Sequence, residues 1–123
     1  MDTSQLEYSV IGAICIEPKI CNKISGILSP DDFSISACSE VYEAACDALS
    51  RGKHFDAVLA ADAIRNRVDD AVRFIRECMD VTPTLANTED HARMLHQRAG
   101  ESRFKLAVQE ALEGEDAAAP VAG

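Results

Sequence analysis

The residues that most often carry chemistry in a small protein are present in this chain, but their spacing does not form a reactive site. The three histidines are His54, His91 and His96. Five residues separate His91 from His96, which places them roughly 140° apart around a helix, so they cannot share a face as two metal ligands should. We therefore predict no metal site and expect all three histidines at the surface.

Two pairs of adjacent carboxylates, Asp31–Asp32 and Asp69–Asp70, could in principle support acid–base chemistry. Each pair lies at the predicted start of a helix, where capping and the helix dipole account for it. The sequence also contains neither a G-x-x-x-x-G-K-[ST] phosphate loop nor a G-x-S-x-G nucleophile elbow. We predict no catalytic residues, no cofactor and no ATP binding by this chain.

Five cysteines are present, an odd number that argues against a closed disulfide framework. None of them forms a C-x-x-C pair, the usual spacing of a zinc site. We expect reduced thiols packed in the interior of a cytoplasmic protein. The cysteines are Cys15, Cys21, Cys38, Cys46 and Cys78.

The net charge of −9 over 123 residues disfavours tight binding to phosphate backbones. A local basic cluster nevertheless occurs at Arg65, Arg67, Arg73 and Arg76. It is open to two interpretations, a solvated mixed surface or the DNA-contacting part of a helix-turn-helix regulator. The sequence has no apolar stretch long enough to span a membrane and no basic region typical of a secretory signal.

The apolar spacing predicts an all-α fold, a small orthogonal bundle of about five helices with a longer C-terminal helix projecting from it. The predicted boundaries are a globular head over 1–86, the long helix over 87–113 and a flexible tail or linker over 114–123. Ser4 and Glu7 form a predicted capping box for the first helix, Pro18 suits the first turn of the second, and Gly114 is expected to end the last.

Each predicted helix has an apolar phase that should face the core. The clearest is the third, in which Cys38, Val41, Tyr42, Ala45 and Leu49 recur every three or four residues. The other inward sets are Leu6, Val10, Ile11, Ile14 and Cys15; Ile20, Cys21, Ile24, Ile27 and Leu28; Val58, Leu59, Ala61, Ile64 and Val68; Val72, Ile75 and Met79; and Ala92, Leu95, Ala99, Leu106 and Leu112.

The long helix carries more apolar residues than a solvent-exposed arm should tolerate, and its bases suggest a partner-binding face. We predict an interface there rather than a catalytic site. The alternative is that the helix folds back over the head and gives a monomer. The predicted interface residues are Met94, Leu95, Arg98, Leu106, Val108 and Leu112.

The order of short motifs resembles the N-terminal domain of DnaB-type replicative DNA helicases. Leu6-Glu7-x-x-Val10-Ile11-Gly12 is similar to that family's L/AE-x-x-V/L-L-G opening, and Asp32-Phe33 to its D-F-Y element. Val41-Tyr42, Ala48-Leu49 and Gly52 match its next helix end. Asp56, Thr82-Pro83-Thr84, Ala86-Asn87 and His91-Ala92 follow at nearly the family's spacing.

The resemblance implies an interaction and assembly module of DNA replication, in which the helicase reaction belongs to another domain or chain. The implied partners are DnaB-like helicase subunits, primase or a loader. The apolar residues of the long helix lead us to predict a homodimer in which two long helices pair in place of the family's hairpins. The family's second hairpin helix and its RecA-like ATPase domain do not occur in these residues. The chain is then either part of a full helicase or a small protein that acts on helicase or primase in trans.

Two departures from the family pattern are visible. The G-G-x-x-Y-L element before the fifth helix is missing, and Arg103 comes one residue later than the family's arginine in the long helix.

Overall fold

The computed structural model describes residues 1–82 and 84–118, with side chains as far as Gly114. Within those residues the fold is all-α, as predicted, with six α-helices, two short 3-10 helices and no strand. The 3-10 helices span Pro18–Ile20 and Pro30–Asp32. The α-helices are α1 (Thr3–Ile16), α2 (Cys21–Ile24), α3 (Ser36–Ser50), α4 (Ala57–Ala63), α5 (Ala71–Asp80) and α6 (Thr88–Ala118).

Helix α1 occupies the centre of the bundle and packs against α3, α5 and the first half of α6. A helix that is apolar on most of its sides is stable only when it is surrounded, and α1 has that composition. The predicted inward set of α1 is confirmed, since Leu6, Val10, Ile11 and Ile14 are fully buried and Cys15 nearly so.

Helices α1 and α5 approach most closely at Gly12. A β-carbon at this position would overlap the backbone carbonyl oxygen of Cys78 and the side-chain hydroxyl of Thr82. The same hydroxyl lies 3.0 Å from the carbonyl oxygen of Ser9 and 2.9 Å from that of Cys78. Thr82 therefore hydrogen-bonds both helices at the point where Gly12 lets them meet.

The predicted stripe of α3 is also confirmed, with Cys38, Val41, Tyr42 and Ala45 buried. Phe33 is buried where the chain enters α3, and its ring lies 5.3 Å from that of Tyr42 between centroids. The Tyr42 hydroxyl donates a hydrogen bond of 2.8 Å to the carbonyl oxygen of Leu28. An aromatic pair with its polar end satisfied thus joins α3 to the segment that follows α2.

The first helix begins two residues earlier than its predicted capping box. Asp2 accepts from the backbone N–H of Gln5 at 2.8 Å, and the Gln5 side chain accepts from the N–H of Asp2 at 3.0 Å. The Ser4–Glu7 box is therefore wrong, because the carboxylate of Glu7 faces the interior and has other partners.

Helix lengths differ from the prediction at two places. Helix α2 ends at Ile24 and leaves Ile27 and Leu28 in the following turn. Helix α6 continues through Gly114 to Ala118, because one glycine within a helix costs only about 1 kcal/mol and does not by itself end it. Residues 119–123 of the predicted tail, and Pro83 of the predicted turn, lie outside the described residues.

The predicted inward faces of α4 and α5 are only partly right, because Ala61, Ile64 and Ile75 are buried as predicted but other members are not. Val58 and Val72, both expected inside, are 75% and 59% exposed. The faces that pack carry Ala60, Ala61 and Ile64 in α4, and Ile75 and Cys78 in α5. Each helix has apolar residues on two sides, so periodicity could not identify the side that the neighbours would cover. None of the described helices is both long and apolar enough to cross a membrane.

The close approach at Gly12 predicts opposite outcomes for two Gly→Ala substitutions. Gly12→Ala should lower the free energy of unfolding by about 1–3 kcal/mol or more, because backbone and a packed hydroxyl occupy the space. Gly100→Ala is the matched control, since nothing lies near its β-carbon position within helix α6.

The control substitution should raise stability by about 0.5–1 kcal/mol through helix propensity. Urea unfolding of the two variants provides the comparison. A Gly12→Ala protein as stable as the parent would show that α1 and α5 are not in backbone contact.

Candidate functional site

Two buried carboxylates organise the polar contacts of the head, and the first is Glu7. Its side chain is fully buried and accepts from the Ser34 hydroxyl and, at 2.9 Å, from the backbone N–H of Ile35. These donors belong to the turn that leads into α3, so Glu7 fixes the start of α3 against α1. Both carboxylate oxygens are satisfied, and the role of Glu7 is structural.

The second buried carboxylate, Asp32, connects the head to α6. Its side chain is 0% exposed and lies 2.8 Å from Nδ1 of His96 and 2.9 Å from Nη2 of Arg103. It also accepts from the backbone N–H of Ser29 at 3.0 Å. Burial alone would raise the pKa of Asp32, but the Ser29 N–H together with His96 and Arg103 holds that pKa below its usual value.

Three basic side chains of α6 hold this helix to the head, His96 and Arg103 on one side and Arg98 on another. Besides His96 and Arg103, Arg98 donates a hydrogen bond of 2.8 Å to the carbonyl oxygen of Met1. Arg103 also donates to the carbonyl oxygen of Asp31 at 3.2 Å. Arg98, predicted at an interface, thus contacts this chain's own N-terminus.

Past Arg103 the helix leaves the head, and every side chain from 104 to 114 is exposed. We call residues 104–118 the distal arm. Phe104, Val108 and Leu112 are 70%, 43% and 56% exposed. Their spacing of four residues turns the helix by only about 40° per step, so they form one apolar stripe. We call these three residues the arm stripe.

The six predicted interface residues do not lie on one surface. Leu95 is fully buried in the head, where α6 packs against α1, so it cannot serve as an interface residue. Leu106 is 55% exposed but points roughly 160° away from Val108 around the helix. Met94, 39% exposed, lies on the same side as Leu112 but about 27 Å away along the axis. Phe104, which the sequence analysis missed, completes the stripe.

The histidines and cysteines form no reactive arrangement in the described part of the chain. His54 and His96 are exposed, as predicted, whereas His91 is half-buried with Nδ1 3.1 Å from the Ser9 hydroxyl. All five cysteines are free, and all but the half-buried Cys46 are buried. No group of three His, Cys, Asp or Glu side chains that could hold a metal occurs among the described residues.

The basic cluster is largely paired with acids of the same chain. Arg65 pairs with Asp62 at 3.5 Å and Arg73 with Glu77 at 3.1 Å, while Arg67 pairs with Glu40. Pairs this exposed contribute little to stability, but they neutralise the local positive potential. The structure therefore favours the solvated mixed surface over a DNA-contacting helix.

Comparison with known proteins agrees with the motif order. Residues 2–97 match the family described as DnaB-like helicase N terminal domain. The replicative DNA helicase DnaB of Geobacillus stearothermophilus is 30% identical over 100 residues, which cover 77% of this chain and 22% of that protein. The replicative DNA helicase DnaC of Bacillus subtilis is 25% identical over 99 residues, again 22% of its length. The chain thus spans about a fifth of these relatives.

A solved structure has the same fold. The crystal structure of the N-terminal domain of DnaB helicase from Mycobacterium tuberculosis superposes with a TM-score of 0.80 at 24% identity. The alignment covers 89% of this chain and 83% of that one, and at this identity the likeness concerns the fold.

Asp32 is buried and contacts two basic side chains of α6, so we predict that its substitution lowers the free energy of unfolding by an amount that depends on pH. Asp32→Asn should lower the free energy of unfolding at neutral pH by about 1–3 kcal/mol, because a buried charge-assisted contact to α6 is lost. The pKa of Asp32 is lower in the folded state, so its stabilisation is present above the unfolded pKa of about 3.9 and is lost as the pH falls through the folded value.

The matched control is Asp31→Asn, whose carboxylate is exposed and makes no ion pair within the described residues. It should change stability by less than about 0.5 kcal/mol. Thermal unfolding at pH 7 and below pH 4 supplies the measurement. A difference between Asp32→Asn and the parent that persists unchanged in acid would mean that the charge of Asp32 is not what stabilises α6.

The paired arginines predict weak DNA binding. Fluorescence anisotropy with duplex and single-stranded oligonucleotides should show no submicromolar affinity at physiological salt, since the net charge of −9 opposes the phosphates. Tight binding with a steep salt dependence that Arg73→Ala with Arg76→Ala abolishes would instead support the regulator interpretation.

Proposed function

The chain belongs to the DnaB-like helicase N terminal domain family, and we propose that it is an assembly and interaction module of a replicative DNA helicase. The family match over residues 2–97 carries the proposal. The relatives that share this region are named as replicative DNA helicases, and the chain covers only about a fifth of each. Its own role in this proposal is therefore to bind other proteins rather than to carry out the helicase reaction.

The module itself is not an enzyme in this proposal. Its sequence lacks a phosphate-binding loop, so ATP hydrolysis belongs to another domain or another chain. The partners we propose are DnaB-like helicase subunits, together with the primase or loader of a cytoplasmic primosome. The same surfaces would serve a domain within a helicase chain and a protein that acts on a helicase in trans.

Self-association through the distal arm is the specific form of assembly that we propose. The arm stripe exposes two aliphatic side chains and a phenylalanine on a helix that has left the head. An exposed apolar row of this length is stabilised when a second copy covers it, and two identical helices can do so symmetrically. The opposite face of the arm is an unsuitable seam, because Glu110 and Glu113 lie beside Leu106.

Two substitutions on opposite faces of one helix test this interface. Val108→Asp should weaken the dimer at least about tenfold, because an unpaired carboxylate would be desolvated in the seam. Leu106→Asp is the matched control, since Leu106 is 55% exposed against 43% for Val108 but lies off the arm stripe, and it should leave association unchanged.

Sedimentation velocity over a concentration series reaching tens of micromolar gives the measurement, with circular dichroism to verify that each variant is folded. A parent protein that stays monomeric at all concentrations contradicts the dimer. Disruption by Leu106→Asp but not by Val108→Asp would move the interface to the other face of the arm.

A further inference from the structure

An apolar groove runs between α4 and α5, where exposed side chains of both helices stand beside the buried Ala61 and Ile75. Its volume is about 630 Å³. The floor and walls are formed mainly by Ala57, Val58, Ala61, Ala71, Val72, Ile75 and Met79. Val58 and Val72 are 75% and 59% exposed, so the described part of the chain leaves the groove open to solvent.

The groove has the dimensions of a single docked helix. Helix α5, the longer wall, has 10 residues and is therefore about 15 Å long, or between two and three helical turns. Small residues on the floor, namely Ala57, Ala61 and Ala71, would let another helix approach closely. Met79 at one end has a flexible side chain that can adjust to different apolar partners.

The charges around the groove indicate the chemistry of its occupant. Four of the lining residues are acidic, Asp62, Asp69, Asp70 and Asp80, against two basic ones, Arg65 and Arg76. Asp62 pairs with Arg65 at 3.5 Å, and Asp70 accepts from the backbone N–H of Arg73 as the cap of α5. The rim is thus acidic overall, with Asp69 and Asp80 free of ion pairs among the described residues.

A second copy of this chain fits the groove poorly, because it would bring another charge of −9 to an acidic rim. The distal arm offers little compensation, since Lys105 is its only basic residue. A helix that is apolar on one face and basic on its flanks satisfies both the groove and its rim.

We propose that the α4–α5 groove binds one amphipathic helix with basic flanks from a different protein. The proposal rests on the proposed function, because an interaction module needs a partner surface that its own assembly leaves free. The arm stripe and the groove are separate, since none of the distal-arm residues whose side chains the structure describes lines the groove. One surface can therefore be occupied while the other is engaged.

Two short designed peptides provide the probe. Both are helical with leucines spaced three and four residues apart, and they differ only in lysines or glutamates on the flanks. Fluorescence anisotropy should show saturable binding of the lysine peptide and at least about tenfold weaker binding of the glutamate peptide.

Groove variants then locate the site on the protein. Val58→Gln with Val72→Gln should weaken binding of the lysine peptide at least about tenfold, because both side chains would contact its leucines. Both positions are exposed, so the fold should tolerate glutamine. Leu106→Gln on α6 is the matched apolar-to-polar control, because Leu106 is exposed but lies off both the arm stripe and the groove, and it should leave binding unchanged.

Substitutions on the rim should act in opposite directions. Asp80→Asn should weaken binding of the lysine peptide about two- to fivefold, whereas Arg76→Gln should strengthen it by a similar factor. A purely hydrophobic contact would not produce this reversal of sign.

Several results would overturn the proposal. They are no saturable binding of the lysine peptide, equal binding of the two peptides, or loss of binding with Leu106→Gln instead of the groove variants. Disruption of self-association by Val58→Gln with Val72→Gln would identify a second copy as the occupant. Sedimentation of Val108→Asp tests the distal arm independently, so failure of the groove and failure of the proposed assembly are distinguishable.

Discussion

Helices α1 and α5 meet so closely at Gly12 that no methyl group fits between them, and the head depends on this contact. Helix α1 is surrounded on most sides, so its position determines where α3, α5 and α6 can pack. The hydroxyl of Thr82 bonds to carbonyl oxygens of both helices at the same point. Because backbone atoms form the contact, the spacing cannot be adjusted by a change of rotamer.

Two buried carboxylates extend this arrangement to the rest of the chain. Glu7 holds the turn before α3, and Asp32 holds α6 through His96 and Arg103. A buried carboxylate is costly unless its oxygens are satisfied, and here each has directed partners. Hydrophobic burial would tolerate several angles of α6 against the head, whereas these contacts are directional and favour one. The start of the distal arm is therefore determined by electrostatics as well as by packing.

The described surface carries ion-paired charges in one region and uncovered apolar side chains in two others. Ion pairs neutralise most of the arginine cluster and so reduce the positive potential of that region. Two apolar features remain uncovered in the described residues, namely the arm stripe and the α4–α5 groove. The arm stripe and the groove share no residue, and the charged residues around them differ. The self-association and the peptide binding that we propose would therefore use separate sites.

The sequence by itself determined the all-α class, the family, and the inward faces of α1 and α3, because strong periodicity and a chain of motifs are local properties. It could not determine the tertiary roles of Glu7, Asp32 and Arg103, whose long-range partners are 27 to 72 residues away along the chain. Nor could it separate the buried from the exposed apolar residues of α4 and α5, since both sides carry apolar residues and only packing distinguishes them. The sequence also could not predict which apolar residues of α6 are buried, because that depends on where along the helix the head ends. Leu95 lies before that point and joins the core, whereas the arm stripe lies after it and is exposed.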